Sequence, residues 1–310
     1  MKIVIFGGGG FIGSAIVDRL LLDGHELTIF ERPRVEPYRK FLDTEPVKWL
    51  TGDLLSTHDV GDAIDGMDIV IHLVSSTLPK SSNDDPIYDV QSNLVGSLQM
   101  LNVMVAKKIR KIIFISSGGT VYGRPEYLPI DERHPTAPQV SYGITKLAIE
   151  KYLLLFEQMH GIKTTILRVA NPFGERQRIE TAQGAVSAFL HRALSGQPIE
   201  IWGDGTATRD YIYISDVADA FARTVTYEGP QSVFNISSGA GTSLNELVSL
   251  LEEILGHTIE CRYLSGRSFD VQVSILSNTL AQQEMGWMPK VPLREGIENV
   301  VKWMIKTRGK

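Results

Sequence analysis

A chain of 310 residues, 43% hydrophobic and 22% charged, is large enough to bury a full core and falls outside the disordered, collagenous and small disulfide-scaffold classes. Its formal charge of -5, from 31 basic and 36 acidic residues with no basic run, provides no electrostatic footprint for nucleic acid or an anionic bilayer. The lone Cys261 excludes an internal disulfide and a multi-cysteine zinc site, so no metal is expected and a reducing, cytoplasmic setting is.

The chain opens on a strand pattern that runs directly into glycines, without an apolar h-region or a small-residue cleavage site, so no export signal is expected. No apolar stretch reaches the roughly 20 residues of a membrane span, so no integral membrane segment is expected either. Short apolar runs predict strands at 2–6, 26–30, 47–50, 68–74, 111–116 and 164–169, with helical periodicity at 11–22, 86–107 and 141–160. That alternation is the signature of parallel βαβ units. Apolar residues on both faces of the strands call for helices on both sides of the sheet. Beyond about residue 170 the loops become rich in Gly, Pro and Arg, with helices expected at 184–195, 215–227, 243–255 and 293–306. The expected class is α/β: a doubly wound parallel sheet of Rossmann type, plus a smaller mixed α/β substrate domain. The division falls at 1–170 and 171–310, and the absence of a flexible linker predicts that the halves interleave.

Gly7, Gly10 and Gly13 in Gly7-Gly8-Gly9-Gly10-Phe11-Ile12-Gly13 follow the first strand and open the first helix. Without Cβ atoms the turn can be tight, a pyrophosphate can approach the backbone, and the helix N-terminus can receive the anion. Glu31, at the end of the second strand, stands where an acid accepts hydrogen bonds from an adenosine ribose, which favours NAD. Arg32 and Arg34 follow at once and leave NADP as the less favoured cofactor. Asp53 has two readings, an adenine contact or a turn-forming Asp.

Tyr142 and Lys146 form the single Tyr-x-x-x-Lys among ten tyrosines, and a spacing of four puts both on one helix face. A lysine ammonium one turn away favours the phenolate a base would need. The fifth strand ends in Ser116-Ser117-Gly118-Gly119-Thr120, where Thr120 or Ser117 can hydrogen-bond a sugar hydroxyl beside Tyr142.

With these motifs in place the chain resembles the extended short-chain dehydrogenase/reductase superfamily, and within it the NAD-dependent nucleotide-sugar epimerases and dehydratases. The resemblance also takes in Asn93 in Asn93-Leu94-Val95-Gly96, the run from Arg168 to Gly174, Gly203-Asp204-Gly205, Arg209-Asp210-Tyr211-Ile212, and Arg267 with Asp270. It implies cofactor contacts from Phe11, Ile12, Leu54, Leu73, Ser75, Asn93, Ser116 and Pro172. It further implies that Arg209 and Arg267 hold a nucleoside diphosphate, a task suited to forked guanidinium groups. Asn171 would contact the sugar diphosphate, Glu200 and Trp202 the uracil, and Asp270 the nucleoside ribose.

Two departures narrow the reading. Gly118 stands where these epimerases usually carry a hydroxyl residue, and Gly119 with Thr120 stand where the dehydratases place an Asp-Glu pair, which disfavours elimination of water. Counting back from Gly286-Trp287, Ser274 takes a position that is bulky in enzymes limited to plain hexoses, leaving room for a 2-acetamido group. Arg176 and Arg178 keep a uronic acid open.

The resulting expectation is 4-epimerisation of a UDP-hexose, foremost UDP-N-acetylglucosamine and its galacto epimer, with the plain UDP-hexoses also open. The alternatives are a 4-keto reductase using NADPH and a non-catalytic NAD(P) sensor. The resemblance also implies a homodimer formed through the helices at 86–107 and 141–160, and points toward polysaccharide precursors; free and lipid-linked sugars stay equally open.

Overall fold

The computed structural model describes residues 1–78, 81–178, 184–266 and 271–308. The first half runs β1 (Lys2–Phe6), α1 (Phe11–Leu22), β2 (Glu26–Glu31), β3 (Val47–Thr51), α2 (Thr57–Ile64), β4 (Ile69–His72), α3 (Pro86–Asp89), a π-helical stretch (Val90–Val95), α4 (Gly96–Lys107), β5 (Lys111–Ser117), α5 (Ser141–His160) and β6 (Lys163–Val169). The second runs β7 (Asn171–Phe173), α6 (Ala185–Leu194), β8 (Ile199–Trp202), β9 (Thr208–Tyr213), α7 (Ile214–Thr226), β10 (Val233–Ile236), β11 (Gly241–Ser243), α8 (Leu244–Leu255), β12 (Cys261–Leu264), β13 (Val273–Ser274), α9 (Thr279–Met285) and α10 (Leu293–Arg308).

In β1, Ile3 and Ile5 enter one buried cluster and Val4 and Phe6 another, the period-two alternation of a pleated strand. The first cluster takes Ile16 and Leu20 of α1 with Val217 and Phe221 of α7; the second takes Val60 of α2, Met100 and Met104 of α4, and Ile149 and Leu153 of α5. Two apolar faces therefore force two helical layers. The strands pair in parallel in the order β10-β6-β5-β4-β1-β2-β3. The order reverses between β1 and β4, and ligands bind such sheets outside the carboxyl ends of the strands at that switch.

The seventh strand, β10, comes from the second half of the chain. The other second-half strands form two small sheets, one in which β9 pairs with β7, β11 and β13, and one of β8 with β12. The expected helix at 86–107 divides into α3, the π-helical stretch and α4; within it the Asn93 side chain bonds the backbone and side-chain oxygens of Asp89. Helix α2, which the expected elements lack, is started by Ser56, whose side chain accepts from the Asp59 amide.

Candidate active site

The glycine turn is built to hold an anion. Gly7 has φ +88, a conformation open to glycine, and its N–H donates to the Phe30 carbonyl at 3.0 Å. A Cβ on Gly13 would collide with the Gly7 carbonyl, whereas one on Gly10 would meet nothing nearer than 3.7 Å. Close packing of α1 on the loop thus requires Gly13, and Gly10 faces open space. Gly10 caps α1 without a side-chain hydrogen bond, leaving the first-turn amides to receive a pyrophosphate. Phe11 and Ile12 pack against the core behind the loop, and Leu73 touches Gly7 from the end of β4.

Glu31 closes β2 and accepts from the Gly9 amide at 2.9 Å. Burial pushes its carboxyl up from the ordinary value while the Gly9 N–H pulls the other way. Arg32 is exposed. Asp53 is exposed and accepts from the Leu55 amide at 3.0 Å in a turn; Leu54 beside it is buried against Gly96.

On α5, Lys146 is 3% exposed and donates to the Ile115 carbonyl at 3.1 Å. Its Nζ lies 4.7 Å from the centre of the Phe114 ring and 5.7 Å from that of Tyr142. Burial lowers Lys146 to about 8, with Glu150 and then Asp89 raising it. Tyr142 is half-buried; burial raises it to about 12, the charge of Asp89 adds to that, and a hydrogen bond with Ser75 opposes it. The Thr120 hydroxyl is buried without a partner, and Thr120 packs against Gly143, the residue after Tyr142. Ser117 is half-buried at the end of β5.

Two other expected contacts are turned inward. Ser116 hydrogen-bonds Glu150. The Asn93 amide accepts from the Ser76 N–H at 2.8 Å and donates to Thr77 and Asp89. The sequence reading passed over Glu150 and Asp89. Glu150 lies one further turn along the Tyr142-Lys146 face and pairs with Arg168 at 2.6 Å, so its spacing was a usable signal. Asp89 carries no motif.

A cavity of about 320 Å³ is lined by Asn171, Pro172, Glu200, Trp202, Arg209 and Tyr211 among others. It begins where β6 ends; Val169 is in register with Ser117 of β5, so the cavity residues follow from the same sheet edge as the strand-end hydroxyls. Asn171 donates to the Asp210 carbonyl at 2.9 Å, and Arg209 to that of Thr208 at 2.9 Å. Glu200 faces Arg192 at 3.4 Å, and Trp202 is 44% exposed. The Tyr211 hydroxyl is buried with no partner, a polar group the motif contained and the sequence reading left unused.

Ser274 is 5% exposed and pairs in register with Arg209. Leu276 occupies the space a side chain at 118 would need. Arg267 and Asp270 lie outside the described residues. Arg176 pairs with Asp18 at 2.7 Å and Arg178 lies 4.0 Å over the Tyr38 ring. Arg176 thus meets α1 and Arg178 the loop after β2, and neither is among the residues lining the cavity. Among the described residues no cluster of three or more His, Cys, Asp or Glu could hold a metal ion, and no helix is long and apolar enough to cross a membrane.

Open helix amides, an acid at the end of β2 and a buried ammonium with two N–H donors to spare fit a dinucleotide. On this sheet, with Tyr142 beside Lys146, they define an enzyme of the short-chain dehydrogenase/reductase class. Residues 3–237 match the model of the NAD dependent epimerase/dehydratase family, and the chain belongs to that family. A UDP-glucose 4-epimerase of Mycolicibacterium smegmatis is 33% identical over 307 residues, covering 98% of each chain. The structure of UDP-glucose 4-epimerase from Thermotoga maritima with UDP-glucose is 34% identical, with a TM-score of 0.93 over 99% of this chain and 100% of that one. A UDP-N-acetylglucosamine 4-epimerase from Methanobrevibacter ruminantium, in complex with UDP-N-acetylmuramic acid, is 28% identical with a TM-score of 0.92, over 99% and 98%.

Proposed function

We propose that this protein interconverts the C4 epimers of a UDP-hexose, foremost UDP-N-acetylglucosamine and UDP-N-acetylgalactosamine. The observation that carries the reading is the face of α5 on which Tyr142 and Lys146 meet, beside the glycine turn and the cavity that holds Arg209. The relatives named for UDP-sugar 4-epimerisation across nearly the whole chain support it, as does the small Ser274 for an acetamido group.

Tyr142 takes the proton of the sugar 4-hydroxyl and gives it back. In the chain alone its hydroxyl is a poor base, raised to about 12, so the adjacent Lys146 ammonium must favour the phenolate. Thr120, with its unpartnered hydroxyl, or Ser117 orients the sugar. NAD, when bound, supplies the acceptor and donor of the C4 hydride. Gly7, Gly10, Gly13 and Glu31 hold it by pyrophosphate and ribose, and Lys146 by the second ribose. Arg209 and Asn171 grip the diphosphate while the sugar turns, and Glu200 with Trp202 border the base. In this arrangement residues 1–170 with the returning β10 carry the cofactor, and the remaining elements of 171–310 carry the substrate. Exposed Ile87, Tyr88, Val95, Ile144, Leu155 and Met159 on α3, the π-helical stretch and α5 form the apolar face of a homodimer.

The test is incubation of the purified protein with catalytic NAD and either UDP-N-acetylglucosamine or UDP-glucose, followed by chromatography of the sugars. The expected product is the 4-epimer without net NADH, with the N-acetylated substrate accepted. Conversion of neither, together with NADPH-dependent reduction of a 4-keto sugar, would overturn the reading.

A further inference from the structure

We infer that Asp89 is a positioning residue for this reaction: its buried carboxylate fastens the first turn of α5 to the π-helical bend and stands against the Tyr142-Lys146 pair. The inference rests on the reading of Tyr142 as the base.

Asp89 is 1% exposed, and its two oxygens take four donors from three separate segments. Oδ1 accepts from the Thr77 hydroxyl and from Asn93 Nδ2, the latter at 2.9 Å. Oδ2 accepts from the hydroxyls of Ser141 and Thr145, each at 2.7 Å. Ser141 and Thr145 flank Tyr142 and precede Lys146, so one side chain fixes the turn that carries both groups. Two partners on each oxygen satisfy the carboxyl group where it is buried. Among the described residues no cation pairs with Asp89, and burying a carboxylate without one is costly. Such a charge at an active-site wall calls for a functional reason.

The surrounding groups make its charge count. Lys146 faces Glu150 on its own helix, Asp89 from α3 and His72 from β4. Glu150 is neutralised by Arg168 of β6, and burial lowers His72 to about 3, which keeps it neutral. Among the described residues, Asp89 faces the catalytic helix without the ion-pair partner that Glu150 has in Arg168. It adds to the burial that raises Tyr142 and, after Glu150, opposes the burial that lowers Lys146, so it makes the tyrosine more ready to take back its proton.

The test is a difference titration of the Tyr142 phenolate by near-ultraviolet absorbance in NAD-loaded protein, with a Tyr142→Phe counterpart of each variant subtracted. Asp89→Asn keeps the shape and removes the charge. The Tyr142 midpoint is expected to fall by about one pH unit, and both limbs of the kcat profile to move to lower pH. kcat is expected to drop by about 10- to 100-fold with KM nearly constant. An unchanged midpoint would overturn the assignment, since a merely structural role lowers kcat without moving it. If Asp89→Asn does not fold, Thr145→Val decides: it removes a donor and leaves the charge less neutralised, so the midpoint moves up, and a midpoint unchanged or lowered overturns the assignment. Failure of the parent protein to convert UDP-sugars would sink the epimerase reading separately, because the titration does not depend on turnover.

Discussion

The two sides of the site are built in opposite ways. On the cofactor and catalytic side, nearly every functional group is already held: Lys146 by a carbonyl and two rings, Glu31 by Gly9, and the start of α5 by Asp89. On the substrate side the cavity wall is open, with Trp202 and Glu200 exposed and a buried Tyr211 hydroxyl still without a partner. The difference teaches that precision is placed where a proton moves between fixed groups. Around the cavity, Asn171 and Arg209, the residues proposed to grip the diphosphate, bond main-chain carbonyls of β9, and the exposed Trp202 and Glu200 leave its mouth accessible.

Substitutions can break this contrast. Tyr142→Phe removes the proton carrier from the fixed side, and kcat is expected to fall by about 10³-fold while bound NAD is retained, as followed by cofactor content after gel filtration. Arg209→Ala acts on the substrate side: loss of a charge-assisted grip is expected to raise KM by about 10- to 100-fold and to change kcat much less, in steady-state assays. The contrast is sharpened by pH. Because burial lowers Lys146 to about 8, its ammonium is lost as pH rises through that value, and kcat is expected to decline on that limb; a flat profile up to pH 10 would mean that the lysine charge is not needed. The smallest effect is expected for Glu200→Gln, whose side chain is exposed and paired with a similarly placed Arg192. KM should change by less than about threefold.

Much of the cofactor side was legible in the sequence because its signals are local. The glycine spacing states where a Cβ cannot be, and a spacing of four states which helical side chains share a face. Asp53 illustrates the limit: the sequence allows an adenine contact or a turn, and the structure shows the turn bond, from the Leu55 amide at 3.0 Å, with the carboxylate still exposed. Arg176 and Arg178 illustrate another. As charges after β7 they suit a sugar carboxylate, and only the structure shows that they meet Asp18 of α1 and Tyr38 of the loop after β2, far back in the chain. The helix at 86–107 read as one periodic run, since periodicity does not register the single extra residue of a π turn.

By itself the sequence determined the parallel α/β class, the glycine turn, Glu31 and the Tyr142-Lys146 pair, because hydrophobic period, missing Cβ atoms and helical pitch act over a few residues. Only the tertiary structure decided that β10 returns to the edge of the large sheet, that Leu276 fills the space beside Gly118, and that Asp89, Asn93 and Thr77 converge on the first turn of α5. Apart from the Asp89–Asn93 bond, those relations join residues at least 12 positions apart in the chain, and burial, not spacing, selects which of them meet.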